Sequence, residues 1–252
     1  MDFGLSGKVA AVTGGARGIG RAICLALADE GMHIAVLDRL YQGAAETAQM
    51  VQAKGQKAIA LEVDVSAYDS VRSAFEQITV KQGPVDVLVS AAALTDNVAT
   101  IEKMSVEAWN REIAINLSGA FYCIKQVGPE MAKRGGGRII IISSRAGLDG
   151  GFGQCSYAAS KAGLCGLAKT AALEYARGGV TCNVIFPGLA NTSAAQNIPD
   201  DIRQRILRRI PTRRLQEPEE IGQTVAFLAS NQARSVNGAE FMVTGGIELF
   251  TF

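Results

Sequence analysis

Tyr157 and Lys161 stand four residues apart in Tyr157-Ala-Ala-Ser-Lys161, with Ser144 upstream. On a helix that spacing puts both side chains on one face. A free phenol titrates near ~10, too high for ready proton transfer at neutral pH. A neighbouring ammonium favours the phenolate and lowers that value. Such a tyrosine takes a proton from an alcohol or gives one to a carbonyl oxygen, while a serine hydroxyl holds that oxygen. Taken alone, each part is weak: Tyr/Lys pairs are common on helix surfaces, and Ser144 alone reads as a strand-end residue.

A second constellation supplies the missing reactant. Thr13-Gly14-Gly15-Ala16-Arg17-Gly18-Ile19-Gly20 lies between an apolar run and a helical pattern. Glycines there let backbone N–H groups approach a pyrophosphate, and the helix N-terminus adds partial positive charge. Gly14, Arg17, Gly18, Ile19 and Gly20 are therefore candidate contacts to a dinucleotide. Asp38 ends the next apolar run, where an acid hydrogen-bonds the adenosine ribose and repels a 2′-phosphate. It favours NAD over NADP, although Arg17 and Arg39 flank the same place and could pair with a phosphate. Asp64 and Val65, after the third run, are placed near the adenine, with helix capping beside Ser66 as the bland alternative for Asp64. The two halves together predict a hydride and a proton moved in one reaction, with Lys161 also gripping the nicotinamide ribose.

The elements that must position these groups follow from the pattern. Val9–Val12, Ile34–Leu37, Ala58–Leu61, Val85–Val89, Ile139–Ile142, Thr181–Phe186 and Glu240–Val243 are short apolar runs. Unalternated β-branched runs suit strands covered on both faces. Arg17–Glu30 and Tyr68–Gln82 are long enough for crossover helices. The expectation is an α/β fold: one Rossmann-type domain over residues 1–252, a doubly wound, parallel seven-stranded sheet with helices on both faces. A polar, arginine-rich stretch at about 191–215 breaks the rhythm and reads as a lid. Ile202, Ile206 and Ile210 would also let it be a solvated amphipathic helix with those three facing inward.

Composition narrows the classes further. Lys+Arg of 25 against Asp+Glu of 24 gives no electrostatic reason to expect a nucleic acid or an acidic membrane surface. Hydrophobic residues make up 48%, enough for a substantial core. Five scattered cysteines contain no C-x-x-C pair, so the chain reads as carrying reduced thiols and no structural zinc. No His/Cys/Asp cluster suggests a metal site, and His33, the one histidine, precedes the second strand away from the chemistry. No secretory pattern opens the chain and no apolar run is bilayer-length, so a cytoplasmic location is expected.

These residues resemble the short-chain dehydrogenase/reductase family along nearly the whole chain. The resemblance is carried by Thr13-Gly14-x-x-x-Gly18-Ile19-Gly20, Asp64-Val65, Ile115-Asn116-Leu117, Ser144, Tyr157-x-x-x-Lys161 and Pro187-Gly188. The interval from Ser144 to Tyr157 is similar to the family's. Arg209-Ile210-Pro211 and Arg214-Leu215-x-Glu217-Pro218-Glu219-Glu220-Ile221 look like the 3-oxoacyl-acyl-carrier-protein-reductase-like branch, as do Phe227–Ser230 and Gly245-Gly246. The resemblance implies that Asn116 joins Ser144, Tyr157 and Lys161, ordering a water that relays protons. It implies that Pro187, Gly188 and Thr192 line the nicotinamide carboxamide pocket. Ala91, just past the fourth strand, belongs with the cofactor contacts. It also implies a homo-oligomer, usually a tetramer, with the apolar ending Ile247–Phe252 buried against a neighbour. One departure stands out. Where the family shows Asn-Asn-Ala-Gly, this chain reads Ser90-Ala91-Ala92-Ala93, which removes a bracing Asn and a permissive glycine.

The leading expectation is reversible oxidation of a secondary alcohol to a ketone with NAD(H). Candidate substrates are a polyol or sugar, a cyclic or aromatic alcohol, and a 3-hydroxyacyl thioester whose phosphates meet the arginines. The Ser90–Ala93 departure motivates a second class, a catalytically weak subunit that serves a partner. A nucleotide-sugar epimerase, a third option, fits less well because the chain has no sizeable second lobe.

Overall fold

A strand that must be apolar on both sides becomes central in a sheet sandwiched by helices, and the architecture follows from that demand. In the computed structural model, which describes residues 2–192, 195 and 198–249, seven parallel strands form one sheet in the order β3-β2-β1-β4-β5-β6-β7. They are β1 (Val9–Thr13), β2 (His33–Asp38), β3 (Ala58–Glu62), β4 (Val87–Ser90), β5 (Gly137–Ile142), β6 (Val180–Pro187) and β7 (Glu240–Val243). The helices are α1 (Gly18–Asp29), α2 (Tyr41–Ala53), α3 (Tyr68–Gln82), α4 (Val106–Ile113), α5 (Gly119–Lys133), α6 (Ala146–Asp149), α7 (Cys155–Tyr175), α8 (Asp200–Arg209) and α9 (Pro218–Ala229).

Successive strand residues point to opposite faces, so each strand feeds two cores. Ala11, Leu37, Leu88, Ile139, Ile141 and Val184 pack under α3, α5 and α7. Val12, Val36, Val89, Ile140, Ile142 and Ile185 pack under α1, α2 and α9. Each fully buried aliphatic side chain contributes about 1.5–3 kcal/mol of transfer free energy, which is why Ile139–Ile142 tolerates no polar residue on either side.

The strand order reverses direction at β1, between β2 and β4, and the crevice at such a point is where α/β sheets bind ligands. β1 leads into the glycine turn, β5 ends just before Ser144 and β6 ends at Pro187. All three carboxyl ends meet at that edge. His33 opens β2 at the opposite, amino end of the sheet, in accord with its expected distance from the chemistry.

Two expectations need correction. β4 begins at Val87, not Val85. Asp86 lies outside the strand because its carboxylate accepts the Val9 amide at 3.0 Å and pairs with Arg134 at 3.2 Å. In the arginine-rich stretch, α8 buries none of its residues. Ile202 is 42% exposed, and of the three isoleucines only Ile210, just past the helix, is buried. The spacing of four fits a helix, but among the described residues no surface covers Ile202.

Candidate active site

Tyr157 lies in the first turn of α7 and Lys161 one turn on. Helix and strand are joined at this point by short polar contacts. Ser143 Oγ donates to the Lys161 carbonyl at 2.8 Å, and Lys161 Nζ donates to the Ile142 carbonyl at 2.9 Å. Gly147 on α6 permits the close fit, since a Cβ there would meet the Ala162 amide at 2.7 Å. The Lys161 ammonium lies 5.6 Å from the centre of the Tyr157 ring. The Ser144 hydroxyl lies beside the phenol and favours its phenolate. The structure thus brings Ser144, Tyr157 and Lys161 together.

The electrostatics differ from the expectation in one respect. Burial pushes the Tyr157 phenol above its ordinary value; the Ser144 hydroxyl draws it back and the Glu112 carboxylate raises it further. Burial also pulls Lys161 down to about 8, against a smaller upward pull from Glu112. For Tyr157 desolvation is the largest of these influences, and it keeps the phenol protonated.

Asn116 arrives by a different route. Between α4 and α5 the helix widens into a π turn over Ala114–Ser118, a form that concentrates at functional sites. There Asn116 is buried and clamps the loop after β4: its Oδ1 accepts the Leu94 amide at 2.7 Å and its Nδ2 donates to the Leu94 carbonyl at 3.0 Å. The same Nδ2 reaches Ser160 Oγ at 3.3 Å. Asn116 therefore ties the β4 loop to α7.

The glycine turn is braced so that its amides stay aligned. Thr47 Oγ1 on α2 donates to the Gly15 carbonyl at 2.9 Å, and Arg21 donates to the Ala16 carbonyl. Gly18 has φ of 55°, open to glycine at little cost. Its missing Cβ would lie 3.4 Å from Thr192, so the turn and the segment after β6 face each other. Among the described residues the amides of Gly18, Ile19 and Gly20 make no hydrogen bond, and with Arg17 exposed beside them they form a cradle suited to an anion. Asp38 accepts the Ala16 amide at 3.0 Å and the Leu40 amide at 2.9 Å, one on each oxygen. Each carboxylate oxygen keeps further acceptor capacity for a hydroxyl. This set fits a dinucleotide: free donors at the helix start and a free acid face at the end of β2.

Asp64 is held by Ser66, which donates from both its amide and its hydroxyl, and that hydroxyl draws the carboxyl below its ordinary value. Val65 is buried against Gly119. Gly188 follows Pro187 and donates its amide to Gln216 Oε1 at 2.7 Å.

The unusual Ser90-Ala91-Ala92-Ala93 segment is held in place without the bracing Asn. Thr13 Oγ1 accepts the amides of Ala91 and Ala92 at 3.1 and 3.2 Å. Ala93 has no positive φ and is exposed, so the lost glycine leaves no backbone strain. Sequence reasoning missed Gln216, the brace from Thr47 and Arg21, and Glu112, which is wholly buried beside this loop. An apolar recess of about 470 Å³, lined by Ile101, Met104, Trp109 and Cys155 among others, adjoins the start of α7.

Comparisons with known proteins agree with this geometry. A family profile described as Enoyl-(Acyl carrier protein) reductase matches residues 14–248. The 3-oxoacyl-[acyl-carrier-protein] reductase FabG of Staphylococcus epidermidis is 40% identical over 245 residues, 95% of this chain and 98% of that protein. Nodulation protein G of Azospirillum brasilense is 42% identical over 245 residues, 96% of this chain and 99% of that one. Acetoacetyl-CoA reductase of Allochromatium vinosum is 39% identical, covering 95% of this chain and 98% of its own. A solved structure from Sinorhizobium meliloti, described as that of a short-chain alcohol dehydrogenase, superposes with a TM-score of 0.94 at 34% identity, covering 98% and 99% of the two chains. The chain belongs to the short-chain dehydrogenase/reductase family of oxidoreductases, in its 3-oxoacyl-acyl-carrier-protein-reductase-like branch.

Proposed function

We propose that the protein moves a hydride between NAD(H) and a secondary alcohol or ketone, with Tyr157 as acid and base. The observation that carries this reading is the buried Lys161 ammonium 5.6 Å from the centre of the Tyr157 ring, with the Ser144 hydroxyl beside the phenol. The nicotinamide, when bound, gives a hydride to the carbonyl carbon or takes one from the carbinol carbon. In reduction Ser144 holds the carbonyl oxygen and Tyr157 gives it a proton as the carbon–oxygen double bond becomes single. Lys161 favours the phenolate left behind and holds the nicotinamide ribose. Asn116 fixes the loop through Leu94 and orders a water on the relay to Lys161. In oxidation the same groups run backwards, Tyr157 taking the proton.

Gly14, Arg17, Gly18, Ile19 and Gly20 hold the pyrophosphate. Asp38 takes the adenosine ribose, Asp64 and Val65 border the adenine, Ala91 backs the cofactor, and Pro187, Gly188 and Thr192 line the carboxamide pocket. Asp38 supports NAD over NADP, since a 2′-phosphate would meet its carboxylate. Charge-assisted hydrogen bonds of this kind are worth about 1.5–3 kcal/mol. Asp38→Ala should therefore weaken NADH and narrow its advantage over NADPH about tenfold or more. An unchanged ratio of the two dissociation constants would remove Asp38 as the selector.

Among substrates a 3-oxoacyl thioester is favoured, because two relatives carry names of enzymes acting on such compounds. The apolar recess beside α7 supports an acyl chain. Arg203, Arg205 and Arg214 are occupied by Asp200, Asp201 and Glu220, whereas Arg208 and Arg209 make no ion pair among the described residues. Replacing Arg208 and Arg209 by alanine should raise KM for a coenzyme A thioester about two- to five-fold, with little change for a small ketone. Equal effects on both substrates would count against phosphate recognition there. Exposed Phe121 and Leu173 on α5 and α7 support a homotetramer. The apolar tail expected to be buried in it extends to residues 250–252, which lie outside the described residues.

A further inference from the structure

Glu112 lies in the last turn of α4 with no exposure to solvent. Its Oε2 accepts the hydroxyl of Ser156, the residue before Tyr157, and the Asn97 amide at 3.4 Å from the loop after β4. Its Oε1 is buried without a partner. Ser156 is itself fully buried, so the contact lies inside the protein, directly behind the first turn of α7. We infer that Glu112 is a positioning residue that lends Tyr157 and Lys161 a buried negative charge and biases them toward their protonated, carbonyl-reducing form. The inference rests on the dehydrogenase reading above.

A hydrogen-bonded joint between α4, α7 and the loop could be made by a neutral amide. A buried carboxylate with one unpartnered oxygen costs desolvation that a glutamine would avoid. What only the charge adds is its field on the neighbouring titratable groups. That field raises the proton affinity of both Tyr157 and Lys161. For Lys161 it counters burial, keeping the ammonium charged; for Tyr157 it adds to burial, keeping the phenol protonated. Of the groups facing Glu112, α7 supplies Tyr157, Lys161 and the partly exposed Cys155. The loop after β4 carries Asp96, Glu102 and Lys103, and α4 itself carries Glu107 and Arg111. All five are exposed, where water screens them.

The signs fix the test. Reduction needs the Tyr157 proton, so its rate holds at low pH and falls as pH rises through the phenol's value. Oxidation needs the phenolate and does the reverse. Removing the negative charge in Glu112→Gln should move both limbs to lower pH, by about half a unit or more. Neutral-pH oxidation then gains on reduction. Glu112→Asp, which keeps the charge, should keep both limbs near those of the unaltered protein. Titration of phenolate absorbance in the resting protein reads the same shift without turnover, with Tyr157→Phe identifying the signal. Should Glu112→Gln fail to fold, Glu112→Leu combined with Ser156→Ala serves: the charge and its buried donor are removed together, and the limbs again move down. Unmoved limbs and an unmoved phenolate titration, with only KM or thermal stability altered, would overturn the inference and leave Glu112 a structural joint. A protein that turns over no alcohol or ketone would instead overturn the dehydrogenase reading, while the phenolate titration still reports on Glu112.

Discussion

Tyr157→Phe is expected to lower kcat by about 10³-fold while leaving the dissociation constant for NADH within a factor of about two. The phenol oxygen carries a transferable proton and lies beside the Ser144 hydroxyl. Removing it leaves the developing alkoxide held by Ser144 but without its proton donor, a role only water can then fill. The ring remains, so its packing beside Lys161 and the first turn of α7 should be kept. Lys161 stays on the Ile142 carbonyl through a contact that does not involve the phenol. Steady-state rates and a fluorescence titration on the same preparation separate chemistry from binding. A phenylalanine variant with near-normal kcat would take Tyr157 out of the proton path.

The second large effect is expected at Gly20. A Cβ there would lie 2.0 Å from the Gly14 carbonyl oxygen and 2.7 Å from its carbon, both backbone atoms that cannot step aside. Gly20→Ala must therefore push the turn away from the start of α1. Overpacking of this kind costs about 3 kcal/mol, enough to lower Tm by about 6–12 °C in a chain of this size. The same displacement separates the Gly18 and Ile19 amides from the anion they are aligned to meet, so NADH affinity should fall by at least about tenfold. Thermal unfolding with and without NADH measures both losses. If the alanine variant kept wild-type Tm and affinity, the turn would have to be more compliant than its packing implies.

Much of this was legible in the sequence, for physical reasons that can be named. The strands could be read because runs such as Ile139–Ile142 feed cores on both faces, so no polar residue interrupts them. Helix α3 was read to its ends from pattern and length. Ser144, Tyr157 and Lys161 could be found because chemistry imposes their types and a helix imposes the spacing. Glu112 could not. In Trp109-Asn110-Arg111-Glu112 it reads as one more charge on a solvated helix, and only the docking of α4 against α7 buries it. The brace on the glycine turn was hidden for a similar reason, since Thr47 and Gly15 are 32 residues apart and α2 alone brings them together. Thr13 shows the converse. Its position in the turn was evident, but that its hydroxyl accepts the Ala91 and Ala92 amides depends on the loop after β4 closing over it. The inward turn expected of Ile202 failed because periodicity reports a helix face and says nothing of whether a surface lies opposite.

Hydride transfer between a nicotinamide and a carbonyl carbon is the step on which every residue role above depends. The most direct measurement supplies NADH carrying deuterium at the transferable position together with a 3-oxoacyl thioester, and analyses the product by mass spectrometry. One deuterium is expected at the new carbinol carbon for each NADH consumed, with almost none formed by Tyr157→Phe. Saturable NADH binding with no cofactor oxidation, for that thioester and for simple ketones alike, would contradict it.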